Sequence, residues 1–210
     1  MGREALAWLR DARPDLEPVA FFVADTDERP TGVDVDLPVM TSVDELVAAR
    51  VDGVVLGIGD ATARRRVAAE VVAAGLTLVT VVHPSAVLGP GVWVGEGCII
   101  APGSVVTRDV QVGRGAIVNY GANVGHDCAI GDFTFIGPGA VLTGHVQIGS
   151  GVMVGAGSVV LPGRSIAHGA RIGAGATVTR DVENGVTVVG FTARSQPASP
   201  EPASPERGAE

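Results

Sequence analysis

From Val82 to Val178 an aliphatic residue returns at every sixth position: Val82, Leu88, Val94, Ile100, Val106, Val112, Val118, Val124, Ile130, Ile136, Leu142, Ile148, Val154, Val160, Ile166, Ile172 and Val178. No insertion breaks the run. Glycine follows many of these residues directly, as at Gly89, Gly95, Gly113, Gly125, Gly131, Gly137, Gly149, Gly155 and Gly173. The fifth place of the hexad is mostly small or Val, as in Ala86, Cys98, Ser104, Ala116, Cys128, Ala140, Ser158 and Ala176. A strict six-residue period is the mark of a parallel β-helix, in which each hexad supplies one short strand and one corner. The aliphatic residue faces inward, the small residue fits beside it, and Gly, Asn or Asp takes the tight corner. Three hexads close one coil, so residues eighteen apart stack at about the 4.8 Å strand spacing. A β-sandwich would instead alternate every two residues between irregularly spaced turns.

Ahead of Val82 the period is absent and the pattern changes. "ALAWLRDAR" spaces Ala5, Leu6, Trp8 and Leu9 along one helical face, and "EPVAFFVAD" reads as a buried strand ending in acid. "TSVDELVAAR" predicts a helix capped by Thr41 or Ser42, "VDGVVLGIG" a second buried strand, and "ATARRRVAAEVVAAG" an arginine-studded helix. Strands alternating with helices predict a small parallel α/β sheet. The tail "SQPASPEPASPERGAE" has no aliphatic residue and reads as disordered. The expected organisation is therefore an α/β unit over residues 1–81, a β-helix over 82–194 and a disordered tail over 195–210.

Charge and composition narrow the function classes. A net charge of −8 argues against a nucleic-acid partner. Hydrophobic residues make up 46% of the chain, yet Gly, Pro, Asp or Arg interrupts each apolar run well short of a membrane span. With no secretory leader pattern, a soluble, cytoplasmic protein is expected. The 15 basic residues are all arginine, so no lysine Schiff base or lysine general base can operate.

The register turns positions into columns. His126 falls in the column Pro90, Arg108, His126, Gly144, Pro162, Arg180, and Asp127 in the column Gly91, Asp109, Asp127, His145, Gly163, Asp181. The pair in "VNYGANVGHDCAIGDF" is thus either a solvated corner or a reaction centre. Gly144, one coil on, leaves a backbone N–H open to approach, the kind of donor an oxyanion hole uses. His145 is placed to pair with Asp127, while His83 and His168 read as structural. His126 and His168 are seven hexads apart and lie on different corners, so no three imidazoles converge within one chain and no metal is expected. Cys98 and Cys128, five hexads apart, cannot form a disulfide and read as small core residues.

Four segments carry a family resemblance: "HPSAVLGPGVWVGEGCIIAPGSVV", "VNYGANVGHDCAIGDF", "GPGAVLTGHVQIGSGVMVGAGSVVLPG" and "VVGFTAR". They resemble the NeuD/PglD-like sugar acetyltransferases of the hexapeptide-repeat superfamily, whose fold is a left-handed parallel β-helix behind a Rossmann-like unit. The resemblance implies that His126 is the general base, that Asp127 raises its basicity, that acetyl-CoA is the donor and that the assembly is a homotrimer. It implies coenzyme contacts at Phe135, Ala156 and Ala174, where Phe135 replaces a histidine common in the family. It also implies a sugar or nucleotide-sugar acceptor held near Asp25 and Gly59, both at carboxyl ends of parallel strands, where open α/β sheets bind ligands. The family's N-terminal unit opens with a strand and a Gly-rich loop, of which "MGREALAWLR" would retain only Gly2. The expected activity is N-acetylation of a nucleotide-linked amino sugar. Two alternatives stay open: O-acetylation of a sialic-acid-like or polysaccharide hydroxyl, and a non-catalytic trimeric scaffold.

Overall fold

The computed structural model describes residues 1–23 and 37–190. From Val81 onward each hexad forms one two-residue strand, and the strands stack into three parallel faces. The first face runs from Val81–Val82 to Thr187–Val188, the second from Val87–Leu88 to Thr177–Val178, and the third from Trp93–Val94 to Ser165–Ile166. The register follows the eighteen-residue stacking, with Val118 beside Ile136, Val124 beside Leu142 and Ile130 beside Ile148. It ends where Ile172 pairs with Val188 and Ile166 with Val182, in a coil two residues shorter.

The inward aliphatics form one continuous core along the coil axis, and Cys98, Ala116, Cys128 and Ala140 fill the narrow places beside them. Ser104 and Ser158 occupy the same column, fully enclosed. Their hydroxyls donate to the carbonyls of Ala101 at 2.7 Å and Gly155 at 2.8 Å, so the buried polar groups are satisfied.

The N-terminal unit comprises α1 (Gly2–Ala12), β1 (Phe21–Phe22), β2 (Val39–Met40), α2 (Val43–Ala48), β3 (Gly53–Val54), α3 (Ala61–Ala73) and β4 (Thr77–Leu78). Helix α2 starts as the sequence suggests: Ser42 Oγ accepts the Glu45 N–H, and the Glu45 carboxylate accepts the Thr41 N–H at 2.8 Å. Helix α1 buries Ala5, Trp8 and Leu9 against Val81, Ile99 and Ile117 on the first face, and α3 packs Val67, Ala68 and Val71 into a cluster with Phe133. No helix among the described residues is long and apolar enough to cross a membrane.

The sheet of this unit differs from the single sheet that the strand–helix alternation predicts. Two separate parallel pairs form, β1 with β2 and β3 with β4. A cavity of about 810 Å³ opens against them, lined by Ala5, Leu9, Phe21, Phe22, Val54 and Leu56 among others. Among the described residues no strand joins β1 to β3, so their free edges stay outside any ladder. Two-stranded parallel pairs have little stability alone, and these depend on the helices packed beside them.

One side chain ties the unit to the coils. Arg64 of α3 is fully buried. Its Nε donates to Gly115 O at 2.8 Å, Nη1 to Ile58 O at 2.7 Å and Gly59 O at 2.9 Å, and Nη2 to Phe133 O at 2.6 Å and Thr134 O at 3.3 Å. Desolvation lowers its pKa to about 10, against the opposing pull of Asp60, so it still carries its charge at neutral pH. Arg64→Ala would take the side-chain donor from these carbonyls, of which Thr134 O alone keeps a ladder partner in Ile117 N–H, and should weaken docking of the unit by more than about 3 kcal/mol. Hydrogen exchange is the readout: amides of α1 and α3 should lose protection while those of the middle coils keep theirs. Unchanged protection in the helices would mean that Arg64 is not the tie.

Candidate active site

The corner between the second and third faces carries the His–Asp pair, flanked by the strands Asn123–Val124 and Ala129–Ile130. The second residue of this corner adopts a left-handed conformation in five successive coils: φ is 72° at Gly91, 51° at Asp109, 57° at Asp127, 60° at His145 and 67° at Gly163. Aspartate tolerates that region better than most side chains. The inter-coil ladder anchors the backbone here on both sides, through Asp127 N to Arg108 O at 3.1 Å and His145 N to His126 O at 2.8 Å.

The His126 ring lies over Gly144. A Cβ at position 144 would sit 2.6 Å from His126 Nε2, so only glycine lets the ring lie along the coil axis. The N–H groups of this column are not used by the ladder, which is why Pro90 and Pro162 fit there. Among the described residues the Gly144 N–H has no acceptor, which leaves a donor beside the imidazole.

His126 Nδ1 and Asp127 Oδ2 are 2.7 Å apart, with the two side chains 53% and 46% exposed. A proton on Nδ1 shared with the carboxylate leaves Nε2 as an open acceptor. The His126 hydrogen bond holds the Asp127 carboxyl below its usual range, with smaller help from the charges of His145, His126 and Arg108. Arg108 itself bonds Asp109 at 3.0 Å. His145 stacks on the pair from the next coil, its Nε2 3.9 Å from Asp127 Oδ2 and its ring edge-on to His126 with centroids 4.9 Å apart. Two imidazoles rather than three meet here, but together with Asp127 they bring three possible ligand atoms within 4.8 Å of one another.

The other expected site residues lie elsewhere. Ala156 and Ala174 are exposed at the corner between the first and second faces. Phe135 is half-buried on the first face, packed against the α1 cluster. One whole face, about 20 Å of extended chain, separates the His126 corner from the alanines, so a single chain does not bring them together. Gly59 follows β3 beside Met1, and its carbonyl is held by Arg64. Asp25 lies outside the described residues. Cys98 and Cys128 are free and buried, and burial pushes the Cys98 thiol to about 11 and raises that of Cys128. His168 Nδ1 accepts the Ser150 N–H at 2.9 Å, and His83 bonds Ser85 and Asp11.

Sequence reasoning missed Phe133 and Arg64. Phe133 takes a left-handed corner, φ 55°, at a place held by Gly97, Gly115, Gly151 and Gly169 in other coils. Its ring lies where a Cβ of Gly115 would be, 2.5 Å away, and anchors the N-terminal unit. An aromatic in a glycine column was the available signal.

Residues 74–172 match the family model described as the GMPPB C-terminal domain. No curated protein matches the chain in sequence. Among solved structures, a histidine-to-asparagine mutant of perosamine N-acetyltransferase from Caulobacter crescentus, in complex with CoA and GDP-perosamine, superposes with a TM-score of 0.81 at 32% identity, covering 93% of this chain and 92% of that one. WeeI from Acinetobacter baumannii AYE gives 0.81 at 29% identity, covering 91% and 93%. The acetyltransferase domain of PglB from Neisseria gonorrhoeae FA1090, in complex with acetyl coenzyme A, gives 0.65 at 26% identity, covering 89% and 90%.

The His126–Asp127 bond makes a spectroscopic prediction. The Asp127 carboxyl should titrate below the ordinary carboxylate range, and His126→Ala should move it back up towards that range, because the largest cause of the depression is removed. Carbon-detected NMR of the labelled carboxyl reads this directly. An unchanged titration would place the hydrogen bond elsewhere.

Proposed function

The chain belongs to the hexapeptide-repeat (left-handed β-helix) sugar acetyltransferases and is an acyltransferase with acetyl-CoA as co-substrate; from that premise we propose that its acceptor is the amino group of a nucleotide-linked amino sugar. The observation that carries the reading is the exposed His126–Asp127 pair, 2.7 Å apart, with Nε2 open beside the Gly144 N–H. His126 Nε2 takes a proton from the acceptor nitrogen as that nitrogen attacks the thioester carbonyl. Asp127 stabilises the imidazolium, and the Gly144 N–H holds the developing oxyanion. Collapse of the tetrahedral intermediate breaks the C–S bond, and the imidazolium returns the proton to the departing thiolate.

The donor half of the site rests on Phe135, Ala156 and Ala174. Because the two alanines stand one face away from His126, the reading requires a neighbouring copy to bring its alanine corner to the histidine. A homotrimer with parallel coils does this around a closed threefold axis. The acceptor half rests on residues 1–81 as a Rossmann-like unit, with Gly59 and Asp25 near the nucleotide. Support comes from the strand–helix alternation of residues 1–81, in which Gly59 follows β3 and stands beside Met1.

Acetyl transfer to GDP- and UDP-linked amino sugars, followed by coenzyme A release, tests the activity. His126→Ala should lower turnover about 10²- to 10⁴-fold, and Asp127→Asn should cost less because it keeps a hydrogen-bonding group of the same shape. A His126→Ala enzyme with the wild-type rate would reduce the pair to a solvated corner. The split site has its own test. Ala156→Trp should abolish coenzyme binding and spare assembly, which light scattering checks. Co-expressed in equal amounts, the His126→Ala and Ala156→Trp chains should regain roughly a quarter of the wild-type rate, the chance that one neighbour brings the intact histidine and the other the intact alanine. No recovery in mixed assemblies would mean that each chain builds its site alone.

A further inference from the structure

His145 has no part in the transfer described above, and its surroundings suit a different chemistry. It occupies a left-handed corner that Gly91 and Gly163 take in other coils, φ 60°, at some backbone cost to a histidine. Among the described residues its ring makes no hydrogen bond. Arg108, the nearby cation, is turned to Asp109.

Two imidazoles and a carboxylate form a donor set for a borderline cation such as Zn²⁺. In a tetrahedral zinc site with bonds of 2.0–2.1 Å, neighbouring ligand atoms stand about 3.3 Å apart. Here His126 Nδ1 and Asp127 Oδ2 are 2.7 Å apart, and His145 Nε2 and the same oxygen 3.9 Å. The first gap must open and the second close by about 0.6 Å, and the two imidazole nitrogens, within 4.8 Å of each other, must close by up to about 1.5 Å, which rotations of the exposed side chains supply. The fourth position stays open to water.

We propose that His126, Asp127 and His145 bind a divalent cation of the zinc type, and that occupancy switches off acetyl transfer. Metal on Nδ1 replaces the proton shared with Asp127. The neutral imidazole then carries its one proton on Nε2, the atom that must accept the acceptor's proton. The bound form holds the ring in place but caps its basic nitrogen. The switch rests on His126 being the base, whereas the binding does not.

The test uses metal-stripped full-length protein and ZnCl₂ alone, in competition with a chromophoric chelator. One zinc should bind per chain. His145→Gly puts at this corner the residue that Gly163 provides one coil on, so it relieves strain and should fold. It should weaken zinc binding roughly 10- to 100-fold. His168→Ala, a change on another corner, should leave it alone. Equal zinc affinity in wild type and His145→Gly would overturn the site. In the acetyl-transfer assay, inhibition should track occupancy and shift with His145→Gly by the same factor. Full occupancy with an undiminished rate would overturn the switch while leaving the site.

Discussion

Where a strand ends in glycine, the coil stacked about 4.8 Å away leaves no room for a Cβ, and this clearance governs what the chain can place there. A Cβ on Gly89 would fall 1.5 Å from Thr107 O, on Gly125 2.6 Å from Thr143 C, and on Gly131 2.5 Å from Ser150 N. The glycines after the inward aliphatics are therefore imposed by contact between backbones. A larger group can lie along the axis only where another coil gives up its own Cβ. His126 lies over Gly144, Phe133 over Gly115, and the Asp109 carboxylate against Gly91. Placing a functional side chain on this scaffold is thus a decision about two residues, eighteen apart.

The N-terminal unit obeys a different constraint. Coil corners present carbonyls outward, and a domain docked on them must supply donors or bury those oxygens unpaired. Arg64 supplies them to Gly115, Phe133 and Thr134, and the same guanidinium fixes the Ile58–Gly59 turn. Its planar fork suits several carbonyls at once, which a single ammonium could not match. The turn at Gly59 is thereby held directly against the coil surface.

The coil was legible because its signal repeats: each inward residue restates the register, and errors do not accumulate over a fixed period. That register alone brought Gly144 under His126 and His145 onto Asp127, contacts between residues 18 positions apart. The N-terminal unit has no such redundancy. "RRR" at 64–66 offers three equal arginines, and only the packing of α3 decides that Arg64 is enclosed while Arg65 reaches over Phe133. The split of the sheet into two pairs was hidden for a similar reason. Alternation of strands and helices gives element type but says nothing of which edges meet. Phe133 lay in plain view in its glycine column, yet an aromatic there signals an external partner only once the packed unit is known.

The His126–Asp127 pair is exposed, and exposed side chains usually lose their orientation to rotamer freedom. Here the backbone under the pair is bonded to the coils on both sides, and the carboxylate is the next residue along. Orientation comes from the ladder, so the imidazole needs no enclosing wall from its own chain. In the proposed split site, that open side receives the alanine corner of a neighbouring copy. It also leaves His145 and Asp127 within reach of any cation that prefers nitrogen and oxygen donors. Protons and metal ions compete for the same nitrogen because the coil fixes the ring without enclosing it.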